Sequence, residues 1–373
     1  MEYSTKYVGL DVAKDSIAVA VADEGREAPR FLGKIPHDLG ALRKLLSRIG
    51  EPEHLEVCYE AGPTGYVLVR WLRAIGIRCQ VIAPSLTPQR PGDRVKTDRR
   101  DALMLAQHLR AGELVNIRVP DEEDERLRDL SRAREDVKED QHRVRQRLIK
   151  LLLRRQIKEP EDMKTRWTKK YYKWLDTLTV QDKTDQLLFQ ESLQSIKECD
   201  GRIDRYEAHI LRLIEASPLN TLVRILQGFR GISSTAAFTI AQEVMTFDRF
   251  SEPGQAMSYA GLVPSERSTG KTTRRGGLTK AGNAHLRRVL IEAAWSYRHK
   301  PCVKGDLKKR LAPLPPEVQR LSWKAQTRLN KKYMHLVMQC NKHPNIAIAA
   351  IARELLGFLW AAAKSPSAQA QAV

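Results

Sequence analysis

The sequence has little of three features that would assign it to other classes of protein. Its few cysteines are scattered and odd in number, which argues against a disulfide framework and favours a reducing cytoplasm. No apolar run reaches the length expected of a membrane-spanning helix, and the first residues carry no apolar signal core. We therefore expect a cytoplasmic protein with no membrane partner. The cysteines are Cys58, Cys79, Cys199, Cys302 and Cys340.

Acidic residues are too few to balance the basic ones. The chain has 64 Lys and Arg against 45 Asp and Glu, a formal net charge of +19. Such an excess favours a polyanionic partner, and nucleic acid is the first candidate. Because 373 residues exceed one typical core, we expect two or three domains.

Asp11 lies in the middle of an apolar stretch, residues 6–21, that reads as two strands joined by a short turn. A charge in a buried strand is costly unless it is paired or bound to a metal. The small residues Gly9 and Ala13 flank it and leave room for a close approach. The alternative is that Asp11 only begins the turn.

The following sequence predicts a mixed sheet with helices on its faces, an α/β domain. A strand over 54–61 ends on Glu60, and Thr97 or Asp98 is expected to cap a later helix. On that helix, Asp98 and Asp101 share one face, although both could simply face the helix dipole. The expected strands are 6–12, 16–22, 30–35, 54–61 and 77–83, and the expected helices are 38–49, 66–75 and 99–111, with a basic loop at 84–96.

The middle of the chain predicts two long helices, over 121–155 and 184–216, separated by a break at 159–183. Residues of the second helix repeat every seven positions, as in a coiled coil. An intermolecular coiled coil would give a homo-dimer or tetramer, whereas a hairpin within the chain would use the same side chains. The heptad rows are Phe189, Ile196, Ile203 and Ile210, with Cys199, Tyr206 and Leu213.

The third region begins near residue 217 and is strongly basic. Residues 226–244 predict two helices joined by a glycine turn that grips a phosphate backbone. A loop at 263–280, rich in hydroxyls, glycines and cations, precedes a helix at about 282–297. This loop is either a flexible nucleic-acid contact or an active-site loop with a hydroxyl nucleophile. The candidate nucleic-acid-binding residues are Arg267, Lys271, Arg274, Arg275, Lys280, Arg287 and Arg288.

The order of acids resembles that of the ribonuclease-H-like nucleases of the RuvC type: Asp11 on the first strand, Glu60 on the fourth, and two aspartates on a later helix. Beyond that, GLDVAK, EAGPTGY, KTDRRDA, SYAGLVPSERSTG and GGLTKAGNAHLRR occur in the order typical of the insertion sequence 110 family. The chain therefore resembles the DEDD transposases, or bridge-RNA-guided recombinases, up to about residue 300.

This resemblance implies a RuvC-like catalytic domain over 1–118, a coiled-coil domain over 119–216 and a transposase domain over 217–300. Residues 301–373 would form a basic helical extension with a disordered tail. Mg²⁺ or Mn²⁺ would be held by Asp11, Glu60, Asp98 and Asp101. The implied partners are donor and target DNA and a structured guide RNA.

The resemblance also implies a covalent serine, for which this sequence offers two candidates. The family register favours Thr269, but Ser268 is less hindered, so both remain candidates beside Gly270. The function that the resemblance implies is strand transfer, in which DNA strands are cut and rejoined through a covalent bond to the protein. Two other functions compete with it. One is a metal-dependent junction-resolving nuclease that uses water, and the other is a non-catalytic nucleic-acid-binding scaffold, which would have no use for four clustered acids.

Overall fold

The computed structural model describes residues 4–88, 97–217, 219–270 and 272–366. Part of the expected basic loop (89–96), part of the expected tail (367–373) and Lys271 lie outside the described residues. The chain divides into two compact units, Met1–Asp121 and Glu122–Val373. The finer division into four domains stays a prediction.

The N-terminal unit is a mixed five-stranded sheet with helices, as predicted. The strand order is β3-β2-β1-β4-β5; β2 is antiparallel to β1 and β3, whereas β4 is parallel to β1 and β5. This architecture is compatible with a ribonuclease-H-like fold. Its elements are β1 (Lys6–Val12), β2 (Ser16–Ala22), β3 (Arg30–Pro36), α1 (Leu39–Ile49), β4 (Leu55–Glu60), α2 (Val67–Ala74), β5 (Arg78–Ile82) and α3 (Asp98–Ala111).

The two faces of this sheet differ in side-chain size because successive residues of a strand point to opposite faces. In β2, large residues on one face join the core that includes α1 and α2, while alanines on the other face contact α3. The large residues are Ile17, Val19 and Val21, and the small ones are Ala18, Ala20 and Ala22. The alanine face allows α3 to lie close to the sheet.

The closest approach of α3 to the sheet is at Gly9 of β1. A Cβ atom there would lie 2.4 Å from the Ala102 carbonyl oxygen and 2.4 Å from the Ala106 amide nitrogen. Helix α3 is positioned at its start by Thr97, whose side chain accepts a hydrogen bond from the Arg100 amide at 3.3 Å. Gly9 therefore allows the first half of α3 to pack closely against β1, the strand that carries Asp11.

The substitution Gly9→Ala tests this contact. The added methyl group would collide with helix backbone, which cannot rotate away as a side chain can, so we expect a loss of stability of about 1–3 kcal/mol or more. The measurement is thermal unfolding followed by circular dichroism. Gly62→Ala is the control, because its Cβ would meet its nearest neighbour at 3.9 Å. Equal midpoints for the two variants would contradict the packing.

The C-terminal unit is mostly helical, as predicted. Besides its helices it contains one short two-stranded sheet. Its elements are α4 (Glu122–Arg154), α5 (Lys169–Thr177), α6 (Lys183–Ala216), α7 (Leu219–Gln227), α8 (Ser234–Val244), α9 (Pro253–Tyr259), β6 (Pro264–Thr269), β7 (Thr272–Leu278), α10 (Ala284–Ala294), α11 (Gly305–Leu311), α12 (Pro316–Met334) and α13 (Pro344–Ala363).

Helices α4 and α6 form an antiparallel hairpin within the chain. Val137 of α4 packs with Cys199 and Ile203 of α6, and nearer the tip Leu148 packs with Phe189. The sequence left open whether these heptad side chains of α6 pack against another chain or within this one. In the structure they pack against α4. Supercoiling and assembly as a dimer or tetramer stay predictions, and assembly would have to use other surfaces. Helix α5 occupies part of the segment predicted as a break.

Helix α13 corrects the expectation that no apolar stretch is long enough to cross a membrane. It has 20 residues and a mean hydropathy of 1.7 over its most apolar window. However, Ile351, Leu355 and Leu359 are fully buried in the core that also contains α8 and α10. A helix packed in this way is a core helix of the C-terminal unit, and it joins residues 301–366 to the same core as residues 217–300.

Candidate active site

The acids Asp11 and Glu60 lie side by side near the carboxyl ends of the neighbouring strands β1 and β4, a place that we call the acidic edge. In the parallel register of β1 and β4, Leu10 pairs with Tyr59, so the next residues along the two strands are Asp11 and Glu60. Because Asp11 alternates with Gly9 along β1, it lies on the face that carries α3. Neither carboxylate is fully buried.

The other two acids lie at the start of α3. Asp98 is the first residue of the helix, and Asp101 lies one turn further. The Lys34 ammonium of β3 donates a hydrogen bond to Asp98 Oδ2 at 2.8 Å. This hydrogen bond, assisted by the charges of Asp98 and Asp11, raises the pKa of Lys34. The cationic side chain of Lys34 therefore lies near two of the four acids, and sequence reasoning had missed it.

The described residues do not form a ready-made metal site. Within the ranges that the structure covers, no three His, Cys, Asp or Glu side chains lie close enough to bind one ion. Glu60 instead accepts a hydrogen bond from the Thr87 hydroxyl at 2.9 Å. Mg²⁺ prefers oxygen ligands such as carboxylates, so the chemical type of these side chains suits the metal. Their positions in this structure do not, because the side chains are too far apart.

Strands β6 (Pro264–Thr269) and β7 (Thr272–Leu278) pair as an antiparallel ribbon, and this corrects the prediction of a loop at 263–280. Directly opposite residues share a face, and faces alternate along each strand. Glu266 pairs with Arg275 and Ser268 pairs with Thr273, so these four residues lie on one face. The other face carries the pairs Arg267 with Arg274 and Thr269 with Thr272. The two candidate nucleophiles therefore lie on opposite faces.

Ser268 is hydrogen-bonded to a carboxylate. Its hydroxyl donates to Glu266 Oε1 at 2.7 Å, and Arg275 Nε donates to Glu266 Oε2 at 3.4 Å. The hydrogen bonds from Ser268 and Arg275 lower the pKa of Glu266, which keeps it an anion at neutral pH. A hydroxyl joined to a potential base, with the base oriented by a third group, is the usual arrangement of an activated nucleophile.

The opposite face of the ribbon places two arginines against each other. Arg267 and Arg274 are cross-strand neighbours, and like charges in such positions repel. Both are exposed to solvent. An anion between them would remove the repulsion, so this face suits a phosphate group.

Two of the predicted nucleic-acid-binding residues on α10 make contacts within the protein. Arg287 donates to the carbonyl oxygens of Ala260, at 3.0 Å, and Lys280, at 3.2 Å. Arg288 pairs with Glu135 and, at 2.7 Å, with Glu292. These contacts hold the base of the ribbon and join α10 to α4. Nucleic-acid binding by these residues stays a prediction.

Glu243 is a fully buried carboxylate that joins the ribbon to the long helix α4, and sequence reasoning had missed it. Arg132 of α4 donates to both of its oxygens, at 2.8 and 3.0 Å, and Asn283 donates to Oε2 at 2.6 Å. Burial opposes its ionisation, but the contacts with Arg132 and Asn283 outweigh burial and lower its pKa. Asn283 also caps α10, immediately after the ribbon.

Glu135 makes a second buried link between α4 and α10. His285 Nδ1 lies 2.9 Å from its Oε2, and Arg288 pairs with its Oε1. Burial raises the pKa of Glu135, but the hydrogen bonds from His285 and Arg288 outweigh burial and lower it to about 2. The carboxylate is therefore ionised at neutral pH although its side chain is only 9% exposed.

Comparisons with known proteins agree with this architecture. A family model for IS110-type DEDD transposases matches residues 8–156, and one for the IS116/IS110/IS902 transposase family matches residues 223–307. The chain is 41% identical to a putative transposase, y4qE, of Sinorhizobium fredii over 97% of this chain and 90% of the relative. It is 32% identical to the transposase for insertion sequence element IS1533 of Leptospira borgpetersenii over 88% of this chain and 96% of that relative.

These matches, with which the fold is compatible, define a DNA transposase, an enzyme that recombines DNA. More particularly, the chain belongs to the IS110 family of insertion-sequence transposases.

The link through Glu135 gives stability a defined pH dependence. The folded-state pKa, about 2, lies below the ordinary value of 4.5, so the stabilisation is present above about pH 4.5 and is lost as the pH falls towards 2. We expect Glu135→Gln to lower the free energy of unfolding by ~3 kcal/mol at pH 7, and by less at pH 3.

The measurement is denaturant unfolding at both pH values. Glu139→Gln is the matched control on the same helix, because Glu139 is exposed and pairs with solvent-facing Arg143, at 3.6 Å. If Glu135→Gln lowers the free energy of unfolding by the same amount at pH 7 and at pH 3, the charge of Glu135 is not what stabilises the contact between α4 and α10.

Proposed function

We propose that this transposase cuts and rejoins DNA strands through a covalent bond between a ribbon hydroxyl and a DNA phosphate. The observation that carries the proposal is the hydrogen bond between the exposed Ser268 hydroxyl and Glu266 Oε1. A non-catalytic scaffold would have no need of an acceptor for that proton. A nuclease that activates water would not need the hydroxyl at all.

In the proposed step, one phosphodiester bond is exchanged for another. Ser268 Oγ forms a bond to the scissile phosphorus, and the bond from phosphorus to one DNA oxygen breaks. The Ser268 proton passes to Glu266, and the departing DNA oxygen takes a proton from solvent. Attack by the hydroxyl of a second strand reverses these changes and releases Ser268. Because a phosphodiester is present at every stage, rejoining needs no external energy source.

The ribbon geometry favours Ser268 over Thr269 as the nucleophile. Glu266 lies on the same face as Ser268, whereas Thr269 shares its face with Arg267 and Arg274. Those two cations would hold the DNA phosphates that flank the reacting one and would stabilise developing negative charge. Thr269 would then contact a phosphate without reacting.

The acids of the N-terminal unit would bind Mg²⁺ or Mn²⁺, which would polarise a phosphodiester when bound. The support for this proposal is the alignment of Asp11 with Glu60 and the attraction of the Lys34 ammonium to Asp98. Asp101, one turn along α3, would be the fourth ligand. Metal binding would need the acids to come closer together than they lie in the described residues, where no three of them are close enough to hold one ion.

The partners we propose are donor and target DNA and a structured guide RNA. The net charge of +19 supports binding to both polyanions. We propose that it acts in the cytoplasm, at the nucleoid, because its DNA substrates would lie there. We propose assembly as a dimer or tetramer, since strand exchange joins two DNA duplexes.

The nucleophile is tested by trapping the intermediate. A nicked suicide substrate is incubated with the protein and its RNA, and the denatured products are examined by mass spectrometry. We expect a peptide that carries nucleotide on Ser268, and we expect none from Ser268→Ala. Thr269→Ala is the matched control and should still form the adduct.

Two results would contradict the assignment. An adduct on Thr269 would place the nucleophile on the arginine face of the ribbon. Cleavage without any adduct, unchanged in both alanine variants, would favour the junction-resolving nuclease that uses water.

The acidic edge is tested by Asp11→Asn. This change removes one charge from the set without changing its size, so we expect at least 100-fold slower DNA cleavage and weaker Mn²⁺ binding in a direct titration. Asp15→Asn, in the exposed turn that follows β1, is the control. Wild-type cleavage by Asp11→Asn, with circular dichroism unchanged, would remove Asp11 from the site.

A further inference from the structure

Helix α12 lies outside both segments that match the transposase families, which cover residues 8–156 and 223–307. One of its faces is fixed in the core of the C-terminal unit. Ser322 donates a hydrogen bond to the Gly228 carbonyl at 2.7 Å, and Asn330 donates to the Tyr297 and His299 carbonyls, both at 3.0 Å. The opposite face of α12 is therefore held in a defined orientation.

That opposite face carries a stripe of cations with a tryptophan among them, which we call the α12 stripe. Its members, Arg320, Trp323, Lys324, Thr327 and Lys331, recur at three- and four-residue intervals and are all exposed. Residues with this spacing lie on one side of a helix. The stripe extends along ~16 Å of helix, at ~1.5 Å per residue.

The cations of the stripe are not used to hold the fold together. Arg328 and Lys332, on the flank that meets α13, both pair with Glu354. Among the residues that the structure describes, no such ion pair joins Arg320, Lys324 or Lys331 to an acid. Their charges are available to an anionic partner.

Trp323 decides which anionic partner fits. Its side chain is 49% exposed, although tryptophan is normally well buried. In duplex DNA the flat faces of the bases are stacked on one another, so an indole ring on a helix surface has nothing to stack against. An unpaired strand offers those faces, and aromatic side chains next to a basic track are the usual platform for single strands.

We infer that the α12 stripe binds an unpaired DNA strand, with Trp323 stacked on a base and Arg320, Lys324 and Lys331 on its phosphates. The source of such a strand is the proposed cutting and rejoining of DNA, because strand exchange between two duplexes passes through bases that have left their partners. The inference rests on that proposed function but not on which hydroxyl reacts.

The first test is photo-crosslinking of the full-length protein to a single strand that contains 5-iododeoxyuridine. After digestion, mass spectrometry locates the linked residue, which we expect to be Trp323. The same sequence as a duplex and as RNA forms the other two arms. Equal linkage to the duplex would overturn the stacking argument, and preferred linkage to RNA would overturn the assignment to DNA.

The second test is the affinity for the same strand, measured by fluorescence anisotropy over a range of salt concentrations. We expect Trp323→Ala to bind on the order of 5- to 150-fold more weakly, and Trp323→Phe to recover most of the loss. The triple change of Arg320, Lys324 and Lys331 to alanine should reduce the log–log salt slope by about 2, since each single-strand phosphate contact contributes ~0.7.

The control removes the same number of charges elsewhere, by changing Arg43, Lys44 and Arg48 of α1 to alanine. These residues are also exposed on a helix. If this triple variant lowers affinity and slope as much as the α12 variant does, the effect is one of net charge, and the α12 stripe is not a site. Wild-type affinity of Trp323→Ala would also overturn the inference.

Discussion

The two-residue period of the β-strand decides which side chains can act together in both candidate sites. In β1 it places Asp11 on the same face as Gly9, the face on which α3 lies, and so directs the carboxylate towards the start of that helix. In β6 it places Ser268 with Glu266 and separates it from Thr269. A shift of one residue in either strand would exchange the faces and separate these groups.

The ribbon depends on buried charge for its position. A two-stranded ribbon is only marginally stable by itself, and every residue of β6 from Ser265 to Thr269 is exposed. Its base, however, is joined through Asn283 to Glu243, which Arg132 of the long helix α4 neutralises. Removing one member of such a pair is far more costly than replacing the pair with apolar residues, because the remaining charge stays buried. The hydrogen bonds of Glu243 therefore join α4, α8 and the start of α10, and loss of either charged partner would leave the other charge buried.

Much of the N-terminal unit could be predicted from the sequence because its signals are local. Short apolar runs bounded by turn residues indicated the strands, and of the two residues predicted to cap α3, Thr97 and Asp98, the structure shows that Thr97 is the cap. The ribbon could not be predicted as strands, since Gly270, Gly276 and a run of polar residues look like a loop when no core-facing residues alternate. The hairpin of α4 and α6 was left open because a heptad pattern shows that a partner exists without showing which helix it is.

Contacts between distant residues account for most of what the sequence did not show. Glu243 lies in a run of small and apolar residues of α8, and nothing near it in the sequence indicates that Arg132, more than a hundred residues earlier, neutralises it. Lys34 was missed for the same reason, because only the fold brings β3 to the start of α3. The four acids were predicted from their order along the strands and the helix, but the distances between them depend on the packing of α3.

The length of the α4–α6 hairpin sets the distance between its base and its tip. Helix α4 has 33 residues, so it is about 50 Å long, which matches about 15 base pairs of duplex DNA. Its base packs with the core beside the ribbon, and its tip has a small core of its own around Tyr171 and Leu175. Whole heptads can therefore be gained or lost in both helices at once without a change in the packing at the base or at the tip. The distance between the base and the tip can change in evolution while each end keeps its own core.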